Sequence, residues 1–464
     1  MGKYFLLTLG CQMNKNDSER LETLLQDLGL KACAKAEQAD LILINTCSVR
    51  QMAEDRVIGL VYNWQKLRAK KPKLIIGVTG CVAGRDKDGK IRKKLSGADL
   101  FFPIEQMIML PKWLNELNPR LINKKSKLAV LDYLGLAPHR QNKSQAFVTI
   151  QTGCNNFCTY CIVPYARGRE KNRPVKEILK EVKLVAVLPH RQAGKKGAVE
   201  ITLLGQVVNN YKAADTNNFS KKNPFKNHFA ALLWEINKIK GVKRLHFTAP
   251  DPQYFNDEQI EALKLPAQVN YLHLPAQSGD NSILEKMNRH YTREQYLKLI
   301  KKIRLARPEI ALGTDIIVGF PGETKAQFKK TLELYKKCDF DISYHANYSQ
   351  RPGTASAKAF KDNVPHAEKK RRWREIQTYM EQNTYRKNQK YVGKVVEVLV
   401  ERCEETPPYG GGVPRKGGVV WVCSGNSREM KLTQFLSKKD LIGKLVKVKI
   451  FEAREWILKG KIIN

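Results

Sequence analysis

Three short apolar runs near the start of the chain, residues 4–9, 41–44 and 74–78, show no polar alternation. Runs of this kind suit strands buried on both faces of a parallel sheet. Residues 17–28 and 50–69 between them carry helical patterns, with Asp17 or Ser18 as the cap expected for the first. Strand and helix alternate to about residue 120, which predicts a doubly wound α/β domain over residues 1–120. Residues 119–144 are rich in Lys and Asn and read as a linker. A second series of strand candidates covers residues 147–152, 200–204, 244–248, 271–274, 311–318 and 342–347, with helical patterns between most of them. Six βα units predict a partial TIM-like barrel over residues 140–375, with its chemistry at the carboxyl ends of the strands. A long basic helix over 366–389 closes this region. Residues 395–400, 418–423, 445–451 and 456–462 then turn β-rich, with Gly and Pro between them, which predicts a small antiparallel barrel over 386–464.

Composition narrows the function classes. The 464 residues are 42% hydrophobic, a globular fraction. No run of about 18 apolar residues is present to span a membrane, and the start lacks the pattern of a signal peptide. A cytoplasmic protein without a membrane partner is expected. Lys and Arg total 82 against 45 Asp and Glu, a formal charge of +37. Such an excess suits a polyanion such as RNA, although a generally Lys-rich proteome produces the same excess. Residues 386–464 hold 17 Lys and Arg against 8 Asp and Glu, consistent with a terminal RNA-binding module.

Ten cysteines in a cytosolic chain point to metal ligation or catalysis before disulfides. Gly153-Cys154-Asn155-Asn156-Phe157-Cys158-Thr159-Tyr160-Cys161 places three thiols in a C-x3-C-x2-C array directly after the first barrel strand. A tetrahedral zinc site needs a fourth ligand, and no further Cys or His lies nearby. Three thiolates on a 4Fe-4S cluster leave one iron open to chelate S-adenosylmethionine (SAM), and Tyr160 is placed to pack against its adenine. Cys11, Cys47 and Cys81 are far apart in sequence, but each sits just past a predicted strand. Parallel strands would deliver all three to one carboxyl edge, where open α/β sheets bind ligands. Gly10, Thr46 and Gly80 beside them let the backbone approach a bulky group. Alone, such a trio also reads as buried apolar side chains. Cys33, Cys338, Cys403 and Cys423 lack such settings and read as packing residues.

These residues resemble the radical SAM methylthiotransferase family. The likeness runs from Gly10-Cys11-Gln12-Met13-Asn14 to the terminal barrel, which looks like the family's TRAM RNA-binding domain. Cys11 through Glu19, Val163-Pro164-Tyr165-Ala166-Arg167-Gly168-Arg169-Glu170, Leu203-Leu204-Gly205-Gln206, His273 through Gly279 and Asp315 through Thr324 resemble the branch that modifies isopentenylated adenosine in tRNA. The resemblance implies two 4Fe-4S clusters, one on Cys11, Cys47 and Cys81 and one on Cys154, Cys158 and Cys161. It implies one SAM as methyl donor and a second as source of a 5′-deoxyadenosyl radical. The product would be a methylthio group on C2 of N6-isopentenyladenosine 37, in the anticodon stem-loop of tRNA. A monomer served by a separate electron donor and sulfur donor is expected. Threonylcarbamoyladenosine or a ribosomal-protein aspartate are alternative substrates within the family, and an iron–sulfur RNA-binding protein without catalysis is the alternative outside it.

Other residues at predicted strand ends are SAM-contact candidates: Gln206, Gln277, Ser278 and the turn from Gly319 to Glu323. That turn also suits an ordinary helix start. Arg167, Arg169 and Arg173, just past the cysteine triplet, are candidates for RNA phosphate. Two features depart from the family pattern. Val207-Val208-Asn209-Asn210 stands where the family has Asn-Val-Asn, and residues 192–197 and 407–418 are inserted, reading as solvent loops.

Overall fold

The computed structural model describes residues 2–48, 51–122, 128, 132–140, 142, 144–187, 197–405 and 420–463. The inserted stretch 407–418 lies outside the described residues, as does 192–197 apart from Gly197.

The first domain is a five-stranded parallel sheet of β1 (Lys3–Leu9), β2 (Lys31–Ala32), β3 (Leu41–Thr46), β4 (Ile75–Gly80) and β5 (Leu100–Phe102), in the order β2-β1-β3-β4-β5. Both faces are covered, and β3 and β4 are buried at every position, as their unbroken apolar runs require. The first helix differs from expectation. It spans Gln12–Asp27 and is capped by Cys11 in a reciprocal pair with Asn14, rather than by Asp17 or Ser18. Those two lie inside it and are buried because each has a tertiary partner. Ser18 Oγ bonds Thr8 Oγ1 at 2.7 Å and Asn45 Nδ2 at 3.0 Å, and Asp17 pairs with Arg167. The segment read as a linker is in part core. Tyr133, Leu134 and Leu136 pack into the first domain, where the buried Arg20 donates Nη1 to the carbonyls of Leu134 and Leu136.

The second domain is built on β6 (Gln145–Thr149), the short antiparallel pair β7 (Gln151–Thr152) and β8 (Lys171–Asn172), then β9 (Glu200–Leu204), β10 (Arg244–Phe247), β11 (Tyr271–His273), β12 (Ala311–Val318) and β13 (Ile342–Asn347). Parallel sheets β10-β9-β6 and β11-β12-β13 are joined by a parallel bridge between Leu245 and Gln268. The result is the six-stranded partial barrel that the apolar runs predict. The helix His366–Gln389 follows.

The third domain is a closed barrel of β14 (Val395–Glu405), β15 (Trp421–Ser427), β16 (Leu432–Ser437), β17 (Leu445–Ala453) and β18 (Leu458–Ile463). Its pairs are antiparallel except β16 with β18, which is parallel. Cys403 and Cys423 stand directly opposite each other on β14 and β15 and form a disulfide. This corrects the reading of both as unpaired packing residues, because sequence does not reveal cross-strand register.

The β15–β16 turn docks beneath the partial barrel, at the end away from the cysteine triplet. Arg244, fully buried at the start of β10, pairs with Glu200 at 2.7 Å and donates to the carbonyls of Asn426 and Ser427, each at 2.8 Å. Asp341 takes Lys431 and Lys387, each at 2.9 Å. Burial pushes its carboxyl upward, but the two ammonium groups outweigh this and hold it below the usual carboxylate range.

The first two domains meet at several places, among them the first helix, where Thr149 Oγ1 donates to Asn16 Oδ1 at 2.9 Å. Arg167 Nη2 reaches Asp17 Oδ2 at 2.7 Å. Glu54 is held by Arg85 of its own domain and by Arg351 of the next, both at 2.6 Å. The helix Cys81–Arg85 packs on the helix Val163–Arg167 so closely that a Cβ on Gly84 would stand 2.0 Å from the Ala166 carbonyl oxygen. Gly84→Ala is expected to destabilise the protein by about 1–3 kcal/mol, because backbone and not a movable side chain blocks the methyl. Thermal unfolding checks this, and an unchanged Tm would show that the interface gives way freely.

Candidate functional site

The strand order decides where the first three cysteines go. β1, β3 and β4 are neighbours, with Leu9 opposite Thr46 and Thr46 opposite Gly80. Cys47 and Cys81 directly follow Thr46 and Gly80, and Cys11 follows Leu9 after Gly10, so one carboxyl edge carries all three. Gly80 is at φ +96°, and a Cβ there would lie 2.5 Å from Asn45 Oδ1 and from the Thr46 carbonyl oxygen. Only glycine lets the chain turn there from β4 into the helix that starts at Cys81. Cys11 is exposed, Cys47 half-buried and Cys81 buried. The Cys81 thiol is pulled down to about 6, first by a hydrogen bond with Cys47 and, against its burial, by the nearby Arg167.

The triplet is positioned by backbone. Gly153 is at φ +71°, where a Cβ would meet the Arg169 carbonyl oxygen at 2.1 Å, and the Cys154 N–H donates to the Gly168 carbonyl. Each thiol has its own N–H donor. These are Asn156 N–H to Cys154 Sγ at 3.4 Å, Arg289 Nη1 to Cys158 Sγ at 3.3 Å and Val163 N–H to Cys161 Sγ at 3.5 Å. Burial, with neighbouring thiols adding, pushes Cys154 up to about 11 and Cys161 up to about 12. Metal binding would displace those protons. Among the described residues no three Cys, His, Asp or Glu side chains converge as ligands of a single metal ion. Cluster thiolates each take a different iron, so a cluster does not need such convergence. Three thiols, three N–H donors and a glycine cradle fit an iron–sulfur cluster.

The other predicted positions divide. Tyr160 packs with Ile283, Met287, Phe320 and Tyr348 beside the triplet. Gln206 is half-buried just past β9. Gln277, at φ +63°, is held as an extra rung beside β12 by Asp315 O at 2.8 Å and Ile317 N–H at 3.0 Å. Ser278 is buried, its hydroxyl shared by Thr331 and the Asp280 N–H, which turns it into the fold. Gly319, at φ +69°, donates its N–H to Glu323 at 2.7 Å, and Glu323 in turn pairs with Arg372 at 2.8 Å. The Gly319–Glu323 turn is thereby tied to the basic helix. Val207 is buried with its N–H on Gln151 Oε1 at 3.0 Å. The polar contact at this strand end falls to Asn209, which exchanges two hydrogen bonds with the Asp251 backbone.

Two arginines proposed for RNA phosphate are inside the protein. Arg167 is taken by Asp17, and Arg173 by Glu181 at 2.8 Å and the Thr149 carbonyl at 2.7 Å. Arg169 lies over the Phe157 ring, 4.7 Å from its centroid. Sequence reasoning missed a group facing Cys158. Asp251 Oδ2 takes Arg289 at 2.9 Å and Asn156 at 3.1 Å, and Tyr254 donates to Asn156 Oδ1 at 2.8 Å. An acid just past the strand predicted at 244–248 was the available signal. The left-handed conformations of Phe157, Ala249, Gln277 and Asn288 are a further mark, visible only in three dimensions.

Three family models match in turn: the Uncharacterized protein family UPF0004 over residues 3–103, the Radical SAM superfamily over 148–335 and the TRAM domain over 389–463. Among solved structures, the radical SAM methyltransferase TsrM from Kitasatospora setae aligns with TM-score 0.53 at 12% identity, covering 77% of this chain and 75% of that one. The cobalamin-dependent SAM radical enzyme OxsB aligns with TM-score 0.51 at 12% identity, covering 82% and 56%. At that identity both likenesses concern the fold. Two curated relatives are each 39% identical over 469 residues and match 100% of this chain. Both are named tRNA-2-methylthio-N(6)-dimethylallyladenosine synthase; the one from Geobacillus kaustophilus is covered to 82% and the one from Clostridium botulinum to 97%. This chain belongs to the tRNA-2-methylthio-N(6)-dimethylallyladenosine synthase family of radical SAM enzymes.

Proposed function

We propose that this enzyme methylthiolates C2 of N6-isopentenyladenosine 37 in tRNA, with one SAM as methyl donor and another as radical source. Iron–sulfur chemistry and SAM go with the radical SAM family. The proposal adds two 4Fe-4S clusters, on Cys11, Cys47 and Cys81 and on Cys154, Cys158 and Cys161. The observation that carries it is the apposition of two three-thiol sites across one interface, where Gly84 of the helix begun by Cys81 meets Ala166 just after Cys161. Bound there, the clusters and SAM supply a radical able to take hydrogen from an adenine carbon and a place to hold the sulfur that replaces it.

The protein's own groups prepare that chemistry. Arg289 carries positive charge to Cys158 and is balanced by Asp251, which Asn209 orients through its backbone. The Tyr160 cluster walls the triplet with apolar surface and excludes water. The curated relatives do not favour the threonylcarbamoyladenosine or ribosomal-protein alternative. A cytoplasmic monomer with separate electron and sulfur donors completes the proposal. Among the described residues no helix is long and apolar enough to cross a membrane. The direct test is nucleoside mass spectrometry of isopentenylated tRNA after incubation with reconstituted protein, SAM, sulfide and a reductant. Unmodified isopentenyladenosine after complete SAM turnover overturns the assignment.

The terminal barrel is the proposed RNA anchor. A groove of about 1300 Å³ on it exposes Leu436 and Phe451 between Lys439, Lys444 and Lys461. Ammonium groups beside exposed apolar side chains suit a nucleic-acid backbone and its bases. Replacing Lys444 and Lys461 with Ala is expected to weaken tRNA binding and flatten the dependence of log K on log salt by about one for each phosphate no longer neutralised. An unchanged slope places the anchor elsewhere. Point changes are the cleaner test, because removing the barrel strips Arg244 and Asp341 of buried partners.

A further inference from the structure

Arg167 sits at the end of the helix that follows the cysteine triplet, but its guanidinium enters the other domain. Its side chain is 3% exposed and that of Asp17, its partner at 2.7 Å, is 1% exposed. The pair is incomplete. Arg167 Nη1 and Asp17 Oδ1 are buried with no hydrogen-bond partner among the described residues. A buried N–H donor without an acceptor is unfavourable, and a ligand at that spot would offset this. The surroundings say which ligand. Asp17 lies on the helix capped by Cys11, and Arg167 ends the helix whose Ala166 carbonyl abuts Gly84, three residues past Cys81. Both charges therefore border the N-terminal thiol site, while Arg167 is supplied by the radical domain.

We propose that the Arg167–Asp17 pair is a positioning element that sets the charge balance of the Cys11, Cys47 and Cys81 site, Arg167 directing its N–H donor toward the bound sulfur-rich anion and Asp17 tempering its charge. The inference rests on the reading that these cysteines hold a cluster. A polyanionic centre that gains an electron is stabilised by a neighbouring cation and N–H donor and destabilised by a neighbouring carboxylate. The N-terminal site then acquires its working potential only when the two domains dock, which couples it to the radical site.

The test uses the full chain with Cys154, Cys158 and Cys161 replaced by Ala and reconstituted with iron and sulfide, so that only the N-terminal site is loaded. Its midpoint potential is read by titration followed by electron paramagnetic resonance. Arg167→Met is expected to shift the potential down and Asp17→Asn to shift it up, with Arg167→Lys between Arg167→Met and the parent. Both single changes break the same ion pair. A merely structural role therefore moves them in the same direction or moves neither, and either result overturns the proposal. If Arg167→Met does not fold, Arg167→Lys against Asp17→Asn decides by the same opposition of sign. Absence of iron in the parent itself overturns the two-cluster reading and this inference with it. A loaded parent with unopposed shifts overturns this inference alone.

Discussion

Replacing Cys154, Cys158 and Cys161 together with Ala is expected to abolish 5′-deoxyadenosine release on reduction and to leave the protein with one cluster's iron. The three thiols have separate N–H donors, two from the backbone of the loop at Asn156 and Val163 and one from the Arg289 side chain. Removing the sulfurs leaves those donors and the rest of the barrel in place. Cys154 is buried and the other two are half-buried, so the small cavities left should lower stability modestly compared with the complete loss of chemistry. Iron content by chemical assay, with 5′-deoxyadenosine by chromatography, reads both effects. Undiminished iron would show that the triplet holds no cluster.

Changing Cys11, Cys47 and Cys81 together to Ala is expected to separate two reactions that the parent couples. SAM cleavage on reduction should persist, because the triplet is held by barrel elements. Methylthioadenosine in tRNA should disappear. Sulfur that enters the product does not come from SAM, whose own sulfur leaves in methionine or S-adenosylhomocysteine, so a separate site must hold it. The edge at Leu9, Thr46 and Gly80 is the other place in the described chain where three thiols gather. Cys11 also caps the helix Gln12–Asp27, so a fold check belongs with the assay. Far-ultraviolet circular dichroism equal to the parent's, with methylthiolated product near the parental rate, would rule out these cysteines as the sulfur site.

The apolar runs at 41–44 and 74–78 were legible in the sequence because strand burial on both faces leaves a local mark, an unbroken apolar run, and the six barrel strands were legible as short β-prone segments recurring between helical patterns. The C-x3-C-x2-C array was legible because its ligands share one loop. The strand Leu432–Ser437 was missed, since its Leu432 and Leu436 are exposed and break the expected alternation. The start of the first helix was misplaced, because Cys11 is not an ordinary cap and Asp17 imitates one. Arg167 and Arg173 were assigned to RNA because a run of arginines reads alike whether solvated or paired.

By itself, the sequence determined which elements form and which cysteines stand at their ends, since both depend on residues near one another in the chain. The tertiary structure alone decided which ends meet. The strand order β2-β1-β3-β4-β5 sets Cys11, Cys47 and Cys81 on one edge. Docking of the domains turned Asp17 and Arg167 from separate surface-like charges into one buried pair. The register of β14 and β15 joined Cys403 to Cys423, and the β15–β16 turn found Arg244 beneath the barrel. Such contacts depend on two distant surfaces fitting at once. A charge is buried only where its partner arrives in the same place, and no local pattern of residues records that arrival.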